Sequence, residues 1–209
     1  MRLILIRHGE TLWNREKKIQ GISDIELNEV GVKQAQRLAS ALRDEKIDAI
    51  YASPLKRAYE TARIIGQFHG GSIHVEDGLV EMNQGDFEGL QYHELMDRHR
   101  EFLKQWIADP GLVKMPNGES LSELQERAWR VMESILCKPG NVLVVSHNFT
   151  IASILCKIQN IGLSEFRSAC VDTASRTIID CRNGEFHLEM LNDVRHLSGL
   201  EDSRQEKQL

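Results

Sequence analysis

The sequence predicts an α/β fold: a three-layer α/β/α sandwich with a mostly parallel central sheet, an antiparallel edge and a small helical cap. Three features carry the prediction. Leu3-Ile4-Leu5-Ile6 and Val142-Leu143-Val144-Val145 are continuous apolar runs, the pattern of strands buried on both faces. Segments with helical spacing of apolar residues alternate with these and other short strand-like runs, as around a parallel sheet. Near the C-terminus, Asn183-Gly184 separates two further strand-like segments and signals a hairpin.

Taken in order, residues 2–6 form the first strand, and residues 9–27 form a long polar loop. Asn28 caps a helix over 29–43, where Val32, Ala35, Leu38, Ala39 and Leu42 recur at helical spacing. Residues 48–52 are the second strand. Ser53 and Pro54 then mark a helix start, with Ser as cap and Pro at the first helical position, and that helix runs to about Gln67. Gly70-Gly71 leads into a third short strand at 73–75, and 79–90 is a loop punctuated by Gly85 and Gly89. Residues 92–107 read as a helix in two pieces, ending before Asp109-Pro110-Gly111. Ser120-Leu121-Ser122-Glu123 matches a capping box and opens a helix to about Cys137. A strand at 141–146, a helix at 149–159 and hairpin strands at 175–181 and 185–191 complete the pattern. The tail from Ser198 is polar and expected to fray. No repeat or linker divides the chain, so 1–209 is expected to be a single domain, with 91–118 as a cap insertion.

Composition narrows the function. A chain of 209 residues with 41% hydrophobic residues can bury a full core. A net charge of -5 argues against a general nucleic-acid binder, which would carry a basic surface. It does not exclude a small anionic ligand, because a local Arg and His cluster can focus positive potential in one cleft. No apolar stretch is long enough for a bilayer span, and the N-terminus enters a strand without a signal-peptide pattern. The expectation is a cytoplasmic monomer or homodimer with no nucleic-acid or membrane partner. Cys137, Cys156, Cys170 and Cys181 form no C-x-x-C pair and are expected to be buried free thiols. Their spacing offers no metal site.

The candidate chemistry lies where strands end, and open α/β sheets bind ligands beyond the carboxyl ends of their strands. Arg7-His8 follows the first strand, Ser53 to Arg57 follows the second, and His147-Asn148 follows the strand at 141–146. The loop with Glu81 adds an acid. Taken singly, a strand-end Arg is usually an ion-pair partner, a strand-end His a structural residue and a loop Glu solvated. Together they suggest phosphoryl transfer. Arg presents a fork of donors that matches phosphate oxygens. A neutral imidazole can attack phosphorus, a cationic one can neutralise charge on the transferring group, and a carboxylic acid can protonate the leaving oxygen. Such a set calls for no metal and no cofactor.

The segment "LIRHGETLWN" resembles the signature of the histidine phosphatase superfamily, the phosphoglycerate mutase-like family. "QGISDIELNEVGVKQAQRLA", "IYASPLKRAYETA", "LVEMNQGDFEGL" and "VLVVSHNFTIASIL" resemble the later segments of that family in the same order, over residues 2 to about 196. The resemblance implies that His8 is the phosphorylated nucleophile, that Arg7, Arg57 and His147 hold phosphate oxygens, and that Glu81 is the proton donor. It further implies substrate contacts from Asn14, from Gln20 and Gly21 in the "QG" loop, from Asn148 and from His196. Asn148 stands where the family often has glycine. Its side chain is expected to crowd or polarise the pocket, with its backbone N–H still available to phosphate.

"EMNQGDFEGL" resembles the phosphatase branch rather than the mutases, which carry an "ERHYG"-like segment there. The loop resembles that of metal-independent phosphoserine phosphatases. "LNDVRHL" resembles an ending of α-ribazole-5′-phosphate phosphatases, with Arg195 in place of a small residue. The expectation is a phosphomonoesterase acting on a small phosphorylated metabolite. A phosphoglycerate mutase and a non-catalytic phospho-ligand binder remain as alternatives.

Overall fold

A computed structural model of the chain describes residues 1–182 and 184–200. Its sheet has six strands: β1 (Arg2–Arg7), β2 (Ala49–Ala52), β3 (Ile73–Val75), β4 (Val142–Ser146), β5 (Arg176–Arg182) and β6 (Glu185–Asp193), in the order β3-β2-β4-β1-β5-β6. β3, β2, β4 and β1 pair in parallel, and β5 runs antiparallel to both β1 and β6. The sheet is mostly parallel with an antiparallel edge, as the sequence predicts.

Each central strand sends alternate side chains to opposite layers, because successive residues of a strand point to opposite faces. Leu3, Leu5, Val142 and Val144 join a core with Leu124, Ala128, Met132 and Ile135 of α6 (Leu121–Leu136) and Ile151, Ala152 and Leu155 of α7 (Asn148–Gln159). Ile4, Ile6, Leu143 and Val145 join a second core with Ala35, Leu38 and Leu42 of α2 (Glu29–Leu42) and Ala58, Ala62 and Ile65 of α3 (Lys56–Gly66). Both faces are covered, so the strands read as unbroken apolar runs.

Several boundaries differ from the sequence reading. The loop at 9–27 holds one helical turn, α1 (Leu12–Arg15), closed by a capping box between Thr11 and Asn14. α3 starts at Lys56, and its N-cap Leu55 makes no side-chain cap. Ser53 lies two residues before that N-cap; its hydroxyl accepts Leu55 N–H (3.3 Å) and also bonds His147 Nε2 (2.8 Å). The segment at 92–107 is split at His99 into α4 (Tyr92–Arg98) and α5 (Arg100–Ala108). α7 opens at Asn148, directly after its N-cap His147. The hairpin residue Asn183 and the tail from 201 onward lie outside the described residues; Ser198 to Leu200 are described.

All four cysteines are free, but only Cys156 is buried. Cys170 and Cys181 are partly buried, and Cys137 is exposed at the end of α6. Burial pushes the Cys156 and Cys170 thiols up to about 11. Among the described residues no helix is long and apolar enough to cross a membrane.

Candidate active site

Three adjacent strands aim their C-terminal ends at one place. Arg7 of β1 is in register with Ser146 of β4, and Ala52 of β2 with Val145. The pairing runs one residue further: His8 N–H donates to the Ser146 carbonyl (3.1 Å), and Ser53 N–H to the Val145 carbonyl (3.0 Å). His8, Ser53 and His147 are thereby fixed by the sheet itself. The His8 and His147 ring centroids lie 5.1 Å apart.

His8 is 3% exposed, and its Nδ1 lies 2.7 Å from the Gly9 carbonyl. A carbonyl can only accept, so Nδ1 carries the proton and Nε2 carries the lone pair. Burial holds the His8 pKa well below the ordinary histidine value, and Arg57 and Arg7 lower it further. The ring is therefore neutral at pH 7, with Nε2 unprotonated. His147 is fully buried. Its Nε2 is 2.8 Å from Ser53 Oγ, and its Nδ1 has no hydrogen-bond partner. Burial, then Arg57, His8 and Arg7, hold its pKa well below the ordinary value. The sequence reading called for a cationic second imidazole. Here His147 is neutral instead, because burial removes it from water and two guanidiniums and a second ring oppose its charge.

Arg7 and Arg57 are both committed to backbone as well as charge. Arg7 Nη1 donates to the Val171 carbonyl (2.6 Å). Arg57 Nη1 and Nη2 donate to the carbonyls of Ser23 and Gly21 (2.7 Å each). The Nε atoms of both arginines are buried without a partner. Burial lowers the Arg57 pKa to about 10, with Glu81 opposing, so the group stays charged at neutral pH.

Glu81 is 9% exposed and is cradled by the start of α7. Its Oε1 accepts from the N–H groups of Met82 (2.8 Å) and Thr150 (3.2 Å), and its Oε2 from Phe149 N–H (3.1 Å). The carboxyl group is thus held by the free N–H donors at a helix N-terminus. It is also close enough to Arg7 and Arg57 to attract both.

Arg7, His8, Asn14, Gln20, Gly21, Arg57, Glu81 and Asn148 line one cavity of about 360 Å³. His147 lies behind this lining, against His8. Asn148 is part of the lining, and its Oδ1 accepts Val171 N–H (2.8 Å). His196 does not reach the cavity. It lies on a turn packed on α2, and its Nε2 is 2.9 Å from the Ala174 carbonyl. Ala174 N–H in turn donates to the His8 carbonyl (3.0 Å), so His196 braces the nucleophile's backbone from behind.

Two supports escaped the sequence reading. Arg127 donates to the carbonyls of Gly78, Val80 and Glu81 and pairs with Glu119, which holds the acid's loop in place. Glu88 accepts from the N–H groups of Ile22, Ser23 and Gln84, tying the 20–24 loop to the acid loop. Arg127 sits inside an amphipathic helix pattern, where a charge ordinarily reads as solvated surface. Glu88 is part of the acid-loop motif, but no role follows from its position there.

Paired imidazoles and guanidiniums beyond the strand ends of an open α/β sheet define an anion-binding site suited to phosphoryl groups. The chain belongs to the histidine phosphatase superfamily (branch 1), whose family model matches residues 3–194. Phosphoserine phosphatase 1 of Hydrogenobacter thermophilus is 35% identical over 199 residues, covering 94% of each chain. The solved structure of Bacillus stearothermophilus YhfR superposes with a TM-score of 0.88 at 32% identity, covering 94% of this chain and 98% of that one. The α-ribazole phosphatase of Shigella flexneri superposes with a TM-score of 0.84 at 30% identity, covering 92% and 96%.

Proposed function

We propose that the protein is a phosphomonoester hydrolase that acts on a small phosphorylated metabolite through a phosphohistidine on His8. The observation that carries this reading is the state of His8: neutral, buried, with Nδ1–H held by Gly9 and the Nε2 lone pair free. Nε2 attacks phosphorus and the ester oxygen departs, taking a proton from Glu81. Water, activated by the same carboxylate, then displaces the phosphoryl group and frees His8. Arg7 and Arg57 neutralise the non-bridging oxygens, with their unpartnered Nε atoms as the donors still to be used. A bound dianion offsets the repulsion from the arginines, so His147 takes up a proton and offers Nδ1–H as a further donor. Asn14, Gln20, Gly21 and Asn148 line the same cavity and complete the substrate contacts.

The positive charge comes from side chains, so turnover is expected to survive exhaustive chelation. The names of the relatives support phosphoserine and α-ribazole 5′-phosphate as candidate substrates. We read 1–209 as one domain with 91–118 as an insertion, supported by α4 and α5 lying over the cavity. Free thiols support a cytoplasmic location, and we read the protein as a monomer or homodimer.

Rapid quench during turnover, followed by peptide mass spectrometry, tests the reading. An acid-labile phosphate is expected on His8, and the His8→Ala protein is expected to be inactive. Full activity of His8→Ala would overturn it.

A further inference from the structure

The cavity has two chemically different ends. Its floor carries Arg7, His8, Arg57 and Glu81, while its wall is apolar, with Leu95, Phe102, Leu103, Trp106, Met115 and Phe149. The wall is rich in flat surfaces. Trp106 and Phe149 stack with ring centroids 6.0 Å apart and planes 19° apart, and Phe102 meets Phe87 edge-on at 4.8 Å.

The charges around the cavity are unbalanced. Among the described residues that line it, Arg7 and Arg57 are the buried cations and Glu81 is the acid, while Lys18 is paired with Glu16 (2.7 Å). Both Glu81 oxygens already accept backbone N–H groups. Glu88, on the neighbouring loop, gives both of its oxygens to Ile22, Ser23 and Gln84. An ammonium group entering with the substrate would meet cations and aromatic carbon, with no uncommitted carboxylate among the described residues that line the cavity. Desolvating an unpaired charge is costly. An apolar or aromatic group in the same place loses water and gains ring contacts.

We infer that the site prefers phosphomonoesters of alcohols bearing a flat aromatic or apolar group, and discriminates against phosphorylated zwitterionic amino acids. The inference rests on the phosphomonoesterase reading and goes further, since it separates the candidate substrates. A riboside with an aromatic base falls in the preferred class, and phosphoserine does not.

The test compares 2-phenylethyl phosphate with O-phosphoserine. Wild-type kcat/KM is expected to favour the aryl-bearing ester by about 100-fold. Intrinsic reactivity cannot produce that order, because the serine alcohol is the better leaving group of the two. Calorimetric titration of His8→Ala protein reads recognition apart from chemistry, and the same order of affinity is expected. Phe102→Ala is expected to reduce the ratio between the esters about tenfold. Phosphoserine binding as tightly as the aryl ester, or neither ester binding, would overturn the inference. An unchanged ratio in Phe102→Ala would overturn the assignment of this wall to recognition. Wild-type protein that hydrolyses no ester would overturn the phosphatase reading, while the titration would still decide the preference.

Discussion

At the scale of single residues, the chemistry turns on how two groups are held. Gly9 fixes the His8 tautomer, and the start of α7 fixes the Glu81 carboxylate. Proton donation matters most for a poor leaving group such as a primary alkoxide, and little for p-nitrophenolate, which departs unaided. Glu81→Gln is therefore expected to slow phosphoenzyme formation from an alkyl phosphate by about 10² to 10⁴-fold. The same step with p-nitrophenyl phosphate should slow far less. Glu81 also activates the water, so the comparison belongs to the burst phase rather than to steady-state turnover. Equal burst-phase losses with both leaving groups would show that the proton comes from elsewhere, with Glu10 and Glu88 the first to examine.

At the scale of elements, α6 reaches across to hold the acid loop. The Arg127 guanidinium takes the Gly78 and Val80 carbonyls on Nη1 (2.9 and 2.8 Å) and the Glu81 carbonyl on Nη2 (2.9 Å), with Glu119 closing the fork. Arg127→Met removes these donors and leaves part-buried carbonyls unpaired, at an expected cost of about 2–4 kcal/mol in urea unfolding. The loosened loop should also lower kcat for alkyl phosphates about tenfold, with a smaller effect on KM. Arg127→Lys should not restore kcat, because an ammonium cannot span three carbonyls in a fixed plane. A Met variant with wild-type stability and kcat would remove Arg127 from this role. These contacts show why the sequence was legible in part. The strands, and the histidines and arginine that end them, are local patterns of burial and polarity, and they were read almost to the residue. Ser53 was misread because a Ser-Pro pair is a good helix start by local rules, whereas here its hydroxyl serves a histidine 94 positions away. The short turn α1 is too brief to show periodicity. His196 carried only an ending's resemblance, and its ring braces Ala174 instead of reaching the cavity.

At the scale of the whole molecule, the site is built at the expense of stability in acid. His8 and His147 lie between Arg7 and Arg57, with Arg127 adding to the field at His147, and burial and these charges hold both rings neutral in the fold. In the unfolded chain each ring titrates near 6.5. Below that pH the unfolded state therefore binds more protons than the folded one. Stability is full above pH 6.5 and falls as the pH drops towards the folded-state values, by up to about 1.4 kcal/mol per pH unit for each ring. His69 and His196, also lowered by burial, act in the same direction. The lowered carboxylate Asp193 has an unfolded value of 3.8 and acts only in more acid solution, which leaves pH 5.5 to 6.5 to the histidines. Urea midpoints of the ligand-free protein should fall across that window, and less steeply in His147→Asn. Saturating vanadate places negative charge between the arginines and favours the imidazolium of His147, so it should flatten the slope of the wild type and do less in His147→Asn. A wild-type midpoint that is flat from pH 7.5 to 5.5 without ligand would mean that the two rings titrate in the fold as they do in the unfolded chain, and a midpoint that rises as the pH falls would mean that they are already protonated in the fold. In the second case His8 would lack the lone pair that the proposed attack requires.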